Sequence, residues 1–270
     1  MLSPWSLRCN GVQRTNDNQF SVEEKGFNKE GSAVIRRAYD IKNKRWCVAK
    51  HLLNSSENKR TEAEYLRKLQ HRFVIEYIAE SKLNQETQLF MEWGGDALSQ
   101  WIKFYPQMIL ENFPFLSYQM VQSLAFIHRK GIIHRDLNAT NYVMINGIVK
   151  MIDFGHAIYK SSGSLKCTWP VAPPEVLAGM FYDESMDVWD LGLTFANMVN
   201  GKPIVGDRGE NLLKNILQIF DRLPYGEVPA YDIWYAKIDK EQADGPEKTN
   251  FNEKISKEFA DIINLKLFTH

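Results

Sequence analysis

The chain of 270 residues is poor in cysteine, has no excess of charge of either sign and contains no long apolar run. Cys9, Cys47 and Cys167 are too few and too scattered for a disulfide framework or a zinc site, which favours a reducing, intracellular environment, cytoplasmic or nuclear. The 33 basic and 33 acidic residues cancel, so the charge indicates neither a nucleic-acid surface nor an electrostatic membrane anchor. No stretch is long enough to span a bilayer, and residues 1–10 lack the pattern of a secretion signal. We therefore expect neither nucleic-acid nor membrane partners.

Two polar blocks on either side of a short apolar segment are the most informative feature of the chain. The first block, residues 134–141, reads His-Arg-Asp-Leu-Asn-Ala-Thr-Asn, and the second, residues 153–155, reads Asp-Phe-Gly. Between them, two apolar runs flank Asn146-Gly147, the strongest short-range signal for a two-residue hairpin turn. The sequence therefore predicts a tight β-hairpin between the two blocks.

The geometry of this hairpin determines which polar side chains meet. Counting residue pairs back from the turn places Asn141 opposite residue 152, so Asn141 and Asp153 are expected to emerge side by side. Asp136 lies on the loop just before the hairpin. Two carboxylates and one carboxamide at a single point suit a hard cation such as Mg²⁺ and a phosphate-transfer site.

The two blocks resemble the catalytic loop and the magnesium-binding Asp-Phe-Gly of the eukaryotic protein kinases, and the resemblance covers roughly residues 25 to 265. It implies an α+β, bilobal protein-kinase-like fold with a small β-rich N-lobe that holds one main helix and a larger, mainly helical C-lobe. The implied organisation is a tail or irregular N-terminal extension at residues 1–20, an N-lobe with the hinge at 21–94, and a C-lobe at 95–270. A chain of 270 residues that is 44% hydrophobic can bury two such modest cores.

The resemblance extends to an apolar strand that ends in Lys50. Taken alone, such a lysine is more simply an exposed residue of an edge strand. Glu62, Leu66 and Leu69 follow at the spacing of one helix face, on a helix expected from about residue 57 to residue 70. A carboxylate on the face that carries leucines should turn inward, and a buried carboxylate requires a cation. We therefore expect Lys50 to pair with Glu62.

An ATP-binding site is implied by the same resemblance. Lys50 corresponds to the lysine that contacts the α- and β-phosphates of ATP. Glu92 and Gly94 correspond to the hinge, whose backbone groups bind the adenine, and Met91 corresponds to the residue in front of it. The other implied nucleotide contacts are Ile35, Ala49 and Val143. Without the resemblance, the region of Met91 is an ordinary exit from a strand into a loop, but its spacing from Lys50 fits the hinge.

The implied reaction is transfer of the γ-phosphoryl group of ATP to a Ser or Thr hydroxyl of a protein substrate. Asp136 corresponds to the catalytic base, and Asn141 and Asp153 correspond to the Mg²⁺ ligands. Lys50, held by Glu62, corresponds to the residue that fixes the phosphates. A packed column that aligns the two lobes is implied as well, and its members are Leu66, Phe154, His134 and Tyr77.

The C-terminal half carries the helical patterns that the family expects. A long helix is expected to end near Gly131, and a further helix should run from about Ser185 to Val199, where Asp187 supports the catalytic loop from below. Two more apolar stripes, near residues 212–220 and 255–263, indicate core helices rather than a cofactor site.

The segment after the second block implies handling of a protein substrate. Thr168 precedes Pro173-Pro174-Glu175 at the place where Ser/Thr kinases have a threonine beside the catalytic aspartate, which argues against a small-molecule kinase. Arg135 corresponds to the residue that usually binds a phosphate group on the activation loop of the family. The alternative is that the serines of this segment are not phosphorylated and only make the loop polar. The candidate phosphorylation sites are Ser161, Ser162 and Ser164.

Residues 201–224 resemble the cyclin-dependent and mitogen-activated branch of the family, although Ala172 replaces an arginine of that branch. This resemblance implies a regulatory, cyclin-like protein partner.

Three departures from the family pattern bear on activity. The glycine-rich turn over the phosphates is degenerate, with Asn28, Glu30 and Ala33 at its glycine positions. Asn138 replaces a lysine two residues after Asp136 and offers only a neutral hydrogen bond. The arginine that pairs with the glutamate of the Pro-Pro-Glu block is missing, so the C-lobe is expected to lack its last helices. The missing glycines and the neutral Asn138 favour a pseudokinase, a scaffold or allosteric partner with weak or no turnover. The residues that favour an enzyme are the intact Lys50, Glu62, Asp136, Asn141 and Asp153.

Overall fold

The computed structural model describes residues 11–26, 28–30, 33–52, 56–160 and 183–203. The chain divides into two compact units, one of residues 1–95 with 150–155 and the other of residues 96–149 with 156–270. The first unit's main segment ends at residue 95, next to the boundary expected after residue 94. The sequence does not indicate that residues 150–155 return to the first unit. None of the helices described has the length and apolar character needed to cross a membrane.

The first unit is built on a seven-stranded antiparallel sheet and one helix. Its elements are β1 (Val12–Arg14), β2 (Phe20–Glu23), β3 (Asn28–Glu30), β4 (Ala33–Asp40), β5 (Arg45–Leu52), α1 (Ser56–Lys68), β6 (Tyr77–Leu83) and β7 (Glu86–Glu92). The strands are ordered β1-β2-β4-β5-β7-β6, and β3 pairs with β4. The strand and the helix expected around Lys50 and Glu62 are therefore confirmed, although the strand continues two residues past Lys50 to Leu52.

The expectation of a tail or irregular extension at residues 1–20 is wrong for residues 12–14 and 20, which lie in strands of the sheet. The backbone N–H of Asn16 donates to the carbonyl oxygen of Lys82 at 2.8 Å, which joins the turn after β1 to β6. Phe20 is fully buried and stacks on Phe90, with ring centroids 3.8 Å apart. A three-residue strand carries too short a pattern to be recognised in the sequence, even though its partner β2 follows closely in the chain.

The side chains of this sheet alternate between two faces, and only one face carries Lys50. The opposite face forms an apolar cluster of Phe20, Val22, Ala38, Cys47, Ala49, Leu83 and Phe90. Lys50 pairs with Ile35 on one side and with Leu89 on the other, while Val48 pairs with Met91. Because residues opposite each other share a face, these partners surround Lys50 on a single surface.

The second unit is mainly helical in the part that the structure describes. Its elements are β8 (Asp96–Ala97), α2 (Leu98–Phe104), α3 (Pro106–Glu111), α4 (Phe113–Arg129), β9 (Ile132–Ile133), β10 (Tyr142–Ile145), β12 (Ile158–Tyr159) and α5 (Ser185–Asn200), and β11 (Ile148–Met151) leads from this unit into the first. The two long helices are those expected from the sequence. Helix α5 ends at Gly201, whose φ of 72° is the left-handed conformation that glycine adopts most readily.

The hairpin between the two polar blocks is confirmed. Asn146 and Gly147 have φ values of 52° and 76°, the two positive angles that a type I′ turn requires. The side chain of Gln119 in α4 holds this turn, because its amide group donates to the carbonyl oxygen of Gly147 and its oxygen accepts from the N–H of Val149, each at 2.9 Å. The further helices expected near residues 212–220 and 255–263 lie outside the described residues.

Candidate active site

Lys50 lies in a buried cluster of charges in the first unit. Its Nζ is 2.9 Å from Oε1 of Glu62 and 2.8 Å from Oδ1 of Asp153. The side chain of Lys50 is 7% exposed and that of Glu62 is fully buried, whereas Asp153 is partly exposed. The expected pairing of Lys50 with Glu62 is therefore confirmed. The contact with Asp153 adds a second carboxylate, so one ammonium group lies between two anions.

Burial and neighbouring charge act in opposite directions on Lys50. Desolvation alone would lower the pKa of its ammonium group, but the carboxylates of Glu62 and Asp153 outweigh this effect and raise the pKa above its usual range. Burial raises the pKa of the Glu62 carboxyl, and the cation of Lys50 offsets only part of that rise. Lys50 therefore stays cationic at neutral pH and is suited to an anionic ligand.

Asp153, two residues after the end of β11, has a strained backbone. Its φ of 61° lies in the left-handed region, which costs a residue other than glycine about 1–2 kcal/mol. The backbone N–H of Gly155 donates to Oδ1 of Asp153 at 3.2 Å, and the side chain of Phe154 is fully buried. These contacts and the ion pair with Lys50 hold the carboxylate in place, and strain of this kind is concentrated at functional sites.

Asp136 is the centre of a hydrogen-bond network in the second unit. The side-chain amide of Asn141 donates to the backbone carbonyl oxygen of Asp136 and to Oδ2 of its carboxylate, each at 2.8 Å. Asn138 donates to Oδ1 of the same carboxylate at 2.9 Å. Because these oxygens can only accept hydrogen bonds, the amide nitrogen of Asn141 must face Asp136 and its amide oxygen must point away.

The two expected Mg²⁺ ligands offer an amide oxygen from Asn141 and a carboxylate from Asp153, a set of donors that fits a hard cation. Asn141 belongs to the second unit and Asp153 to the first. Their convergence on one ion, inferred from the hairpin, stays a prediction.

The loop that carries Asp136 is held by a buried carboxylate from α5. Asp187 is fully buried and accepts hydrogen bonds from the backbone N–H groups of His134 and Arg135, each at 2.8 Å. This contact fixes Arg135 at a φ of 68°, which is again a left-handed conformation. The support that the sequence assigns to Asp187 is therefore confirmed. His128 in α4, whose Nε2 lies 2.8 Å from Asp187, was missed, because a partner 59 residues away leaves no local signal.

Arg135 also makes a side-chain contact. Its Nε donates to the carbonyl oxygen of His156 at 2.6 Å. The candidate phosphorylation sites Ser161, Ser162 and Ser164, together with Thr168, lie outside the described residues. The role of Arg135 as a phosphate receptor stays a prediction.

Of the expected nucleotide contacts in the sheet, Ile35 and Met91 share a face with Lys50, whereas Ala49 does not. Ile35 and Met91 belong to the face of the sheet that carries Lys50. Ala49 is fully buried in the apolar cluster on the opposite face, so its assignment as a nucleotide contact is wrong. Successive residues of a strand point to opposite faces, and Val48 shares the face of Lys50 instead.

The segment expected to be the hinge is held by a network of charged groups in the first unit. The N–H of Glu92 donates to the carbonyl oxygen of Glu76 at 3.0 Å, and the Glu92 carboxylate accepts from the N–H of Glu76 at 2.8 Å and from Lys150. Arg45 makes two hydrogen bonds with the carboxylate of Glu76, at 2.9 and 3.0 Å. The backbone of Glu92 is thereby fixed just before Gly94. The contacts of Glu92 and Gly94 with adenine stay predictions.

The remaining residues that the sequence assigns to the site lie in different parts of the two units. Leu66, Phe154 and His134 are fully buried, whereas Tyr77 is partly exposed and its hydroxyl accepts a hydrogen bond from Arg67. Val143 lies in β10 of the second unit, where it pairs with Ala97. Two of the degenerate glycine positions, Asn28 and Glu30, lie in β3, which pairs with β4 in the register Asn28 to Ile35 and Glu30 to Ala33.

Comparison with known proteins supplies the family. Residues 30–267 match the family model for the protein kinase domain. The chain is similar to mitogen-activated protein kinase 13 of Homo sapiens, with 34% identity over 113 residues, or 40% of this chain and 30% of that protein. A probable cell division protein kinase of Encephalitozoon cuniculi is 32% identical over 170 residues, 61% of this chain and 53% of that protein. Protein kinase gsk3 of Schizosaccharomyces pombe is 27% identical over 205 residues, 69% of this chain and 53% of that protein.

The chain thus spans between 30% and 53% of the lengths of these relatives. The family match confirms the α+β fold expected from the sequence, with one β-rich part and one mainly helical part.

Proposed function

Because the chain belongs to the protein kinase domain family, we propose that it is an ATP-dependent Ser/Thr protein kinase with Asp136 as its catalytic base. The observation that carries the proposal is the contact of Lys50 Nζ with both Glu62 and Asp153. A buried ion pair is seldom the most stable choice, because well-packed apolar residues of similar volume are often equally stable or more so. A chain that served only as a scaffold would have little physical reason to keep this cluster. Binding of a ligand that carries phosphate groups is such a reason, because the ammonium group of Lys50 can contact the phosphates.

The residues of the first unit support ATP as the phosphate donor. Lys50 offers the cation for the α- and β-phosphates, and Glu62 keeps that cation in position. The fixed backbone next to Glu92 and Gly94 offers hydrogen-bonding groups to the adenine, and Ile35 and Met91 offer apolar surface. Mg²⁺, held by Asn141 and Asp153, would neutralise the phosphates and their developing charge.

The network around Asp136 supports its role toward the acceptor hydroxyl. Asn138 and Asn141 each hold one oxygen of the carboxylate, so Asp136 presents its remaining lone pairs in fixed directions. Asp136 orients the acceptor hydroxyl and accepts its proton. The acceptor oxygen forms its bond to the γ-phosphorus while the bond to the β–γ bridging oxygen breaks, and ADP leaves with that oxygen.

A pseudokinase is the second candidate, and specific residues favour it. Asn138 supplies no positive charge, and the loss of a charged contact to a transition state commonly lowers a rate by about 10²–10³. The positions Asn28 and Glu30 also lack the glycines that allow backbone amides to approach phosphates closely. A slow enzyme and an inactive scaffold therefore have to be separated by measurement.

The separating experiment is transfer of labelled γ-phosphate to a mixed peptide library by the wild type and by Asp136→Asn. The asparagine keeps the shape of Asp136 but cannot accept a proton, so we expect a fall of about 10²–10⁴ in the transfer rate. Equal background from both proteins would contradict the proposal and favour the scaffold. Transfer to sugars or aminoglycosides, but to no peptide, would indicate a small-molecule kinase instead. The cyclin-like partner and the intracellular location stay predictions.

A further inference from the structure

Asn138, the residue that replaces a lysine of the family pattern, is held from two sides in the second unit. Its Nδ2 donates to Oδ1 of Asp136 at 2.9 Å. Its Oδ1 accepts from the backbone N–H of Thr140 at 2.8 Å and also from the hydroxyl of Thr140. A backbone N–H can only donate and a carboxylate can only accept, so just one orientation of the amide satisfies both neighbours.

The loop does not need these side-chain bonds to close. The carbonyl oxygen of Asn138 accepts from the N–H of Asn141 at 2.9 Å, and that of Ala139 accepts from the N–H of Ser99 at 2.9 Å. Thr140 is exposed and Asn138 is partly exposed, so neither side chain fills the core. What the two side chains fix is the direction of one hydrogen bond to Asp136.

We propose that Asn138 and Thr140 form a positioning clip, which holds the carboxylate of Asp136 in the orientation that receives the acceptor hydroxyl. This inference rests on the proposed function and names two further residues of the same site. The Thr140 hydroxyl polarises the amide of Asn138, which strengthens the bond from that amide to Asp136. Asn141 holds the other oxygen of the Asp136 carboxylate. The clip therefore removes the remaining freedom of that carboxylate to rotate. The clip orients Asp136 but supplies no positive charge, whereas a lysine at position 138 would orient Asp136 and supply a positive charge.

The test compares Thr140→Val, Thr140→Ser and Asn138→Ala with the wild type, and uses Thr87→Val on an exposed strand as the matched control. Thr140→Val removes the hydroxyl and keeps the backbone N–H, so we expect kcat to fall about fivefold with unchanged KM for ATP. Asn138→Ala removes the donor itself and should lower kcat at least about tenfold. Thr140→Ser should restore the wild-type rate. Thr87→Val should leave every parameter unchanged.

A second measurement does not depend on turnover. The side-chain carboxyl ¹³C resonance of Asp136, measured by NMR, should move in Thr140→Val and Asn138→Ala and should return in Thr140→Ser. An unmoved resonance would overturn the clip, whatever the activity. Wild-type kcat in both Thr140→Val and Asn138→Ala would also overturn it, while the proposed kinase activity would stand. A resonance that moves in a protein without phosphate transfer would refute the proposed activity but support the contact of the clip with Asp136.

Discussion

At the scale of single residues, the pairing of Lys50 with Glu62 links the stability of the first unit to the proposed chemistry. Lys50→Met leaves the fully buried carboxylate of Glu62 without its nearest cation. We expect the free energy of unfolding to fall by about 3–5 kcal/mol and the transfer rate to fall by about 10² or more. Urea unfolding and the peptide transfer assay would measure the two effects separately.

The double variant Lys50→Met/Glu62→Leu is the control, because it removes the buried charge as well as its partner. It should recover most of the lost stability and none of the lost activity, since an apolar pair can replace a buried ion pair. If the double variant were as unstable as Lys50→Met, packing rather than charge would be the cause.

The buried thiol of Cys47 makes the free energy of unfolding of the first unit depend on pH. Burial raises the pKa of its thiol to about 12 from the ordinary value of 9.0, and the carboxylate of Asp40 adds to the rise. The folded state therefore binds the thiol proton more tightly than the unfolded state does. This stabilisation is complete below pH 9 and is lost as the pH rises toward 12.

The free energy of unfolding should fall with pH above pH 9 more steeply in the wild type than in Cys47→Ala, by about 1.4 kcal/mol per pH unit. Urea unfolding of both proteins between pH 8 and pH 10.5 would measure the difference, in which the titration of all other groups cancels. Parallel slopes for the two proteins would mean that the thiol titrates normally and is not shielded by the sheet.

The residues that the sequence identified correctly are those with a periodic or charged signal nearby. Glu62 was placed inside because it shares a helix face with leucines, and that placement required the cation of Lys50. Ala49 was misassigned because its position next to Lys50 in the sequence says nothing about face, and adjacent strand residues point in opposite directions. His128 and Thr140 were missed, since their partners are fixed by tertiary geometry and by loop conformation rather than by a pattern.

At the scale of elements, the β10–β11 hairpin depends on the left-handed backbone of its turn. Gly147 has a φ of 76°, and a Cβ added there would meet no atom within 4 Å. Gly147→Ala should therefore cost only the conformational energy of a left-handed alanine, about 1–2 kcal/mol. Gly131→Ala, with a φ of 71° and equal space, is the matched control and should lose the same amount in thermal or urea unfolding. A much larger loss at Gly147 alone would mean that the alanine also disturbs the hydrogen bonds by which Gln119 holds the turn.

Elements were easier to identify than their connections. The hairpin and the helices around Glu62 and Asp187 each carry a local pattern, and each was found. Strand β1 was not, because three residues are too few for a pattern. The course of the chain between the two units also has no local signal.

At the scale of the whole molecule, this course decides which pieces of the chain can fold alone. The N–H of Met151 donates to the carbonyl oxygen of Phe73, and the N–H of Ile75 donates to that of Met151, each at 2.9 Å. Met151 and Phe154 are fully buried, and Asp153 contacts Lys50. The first unit is therefore incomplete without residues 150–155, although an N-lobe at residues 21–94 would omit them.

A fragment of residues 1–95 should consequently lack a stable fold. It loses about 1.5–3 kcal/mol for each of the two buried side chains and about 0.5–1.5 kcal/mol for each of the two hydrogen bonds, a sum comparable to the stability of a whole domain. The same fragment with residues 148–156 joined through a flexible Gly/Ser linker should unfold cooperatively and show dispersed amide resonances. Met151→Asp in the joined fragment is the control and should return it to the unfolded spectrum, because a carboxylate cannot be buried there without a partner. Equal cooperativity of residues 1–95 with and without the added segment would mean that residues 150–155 only rest on a sheet that is already complete.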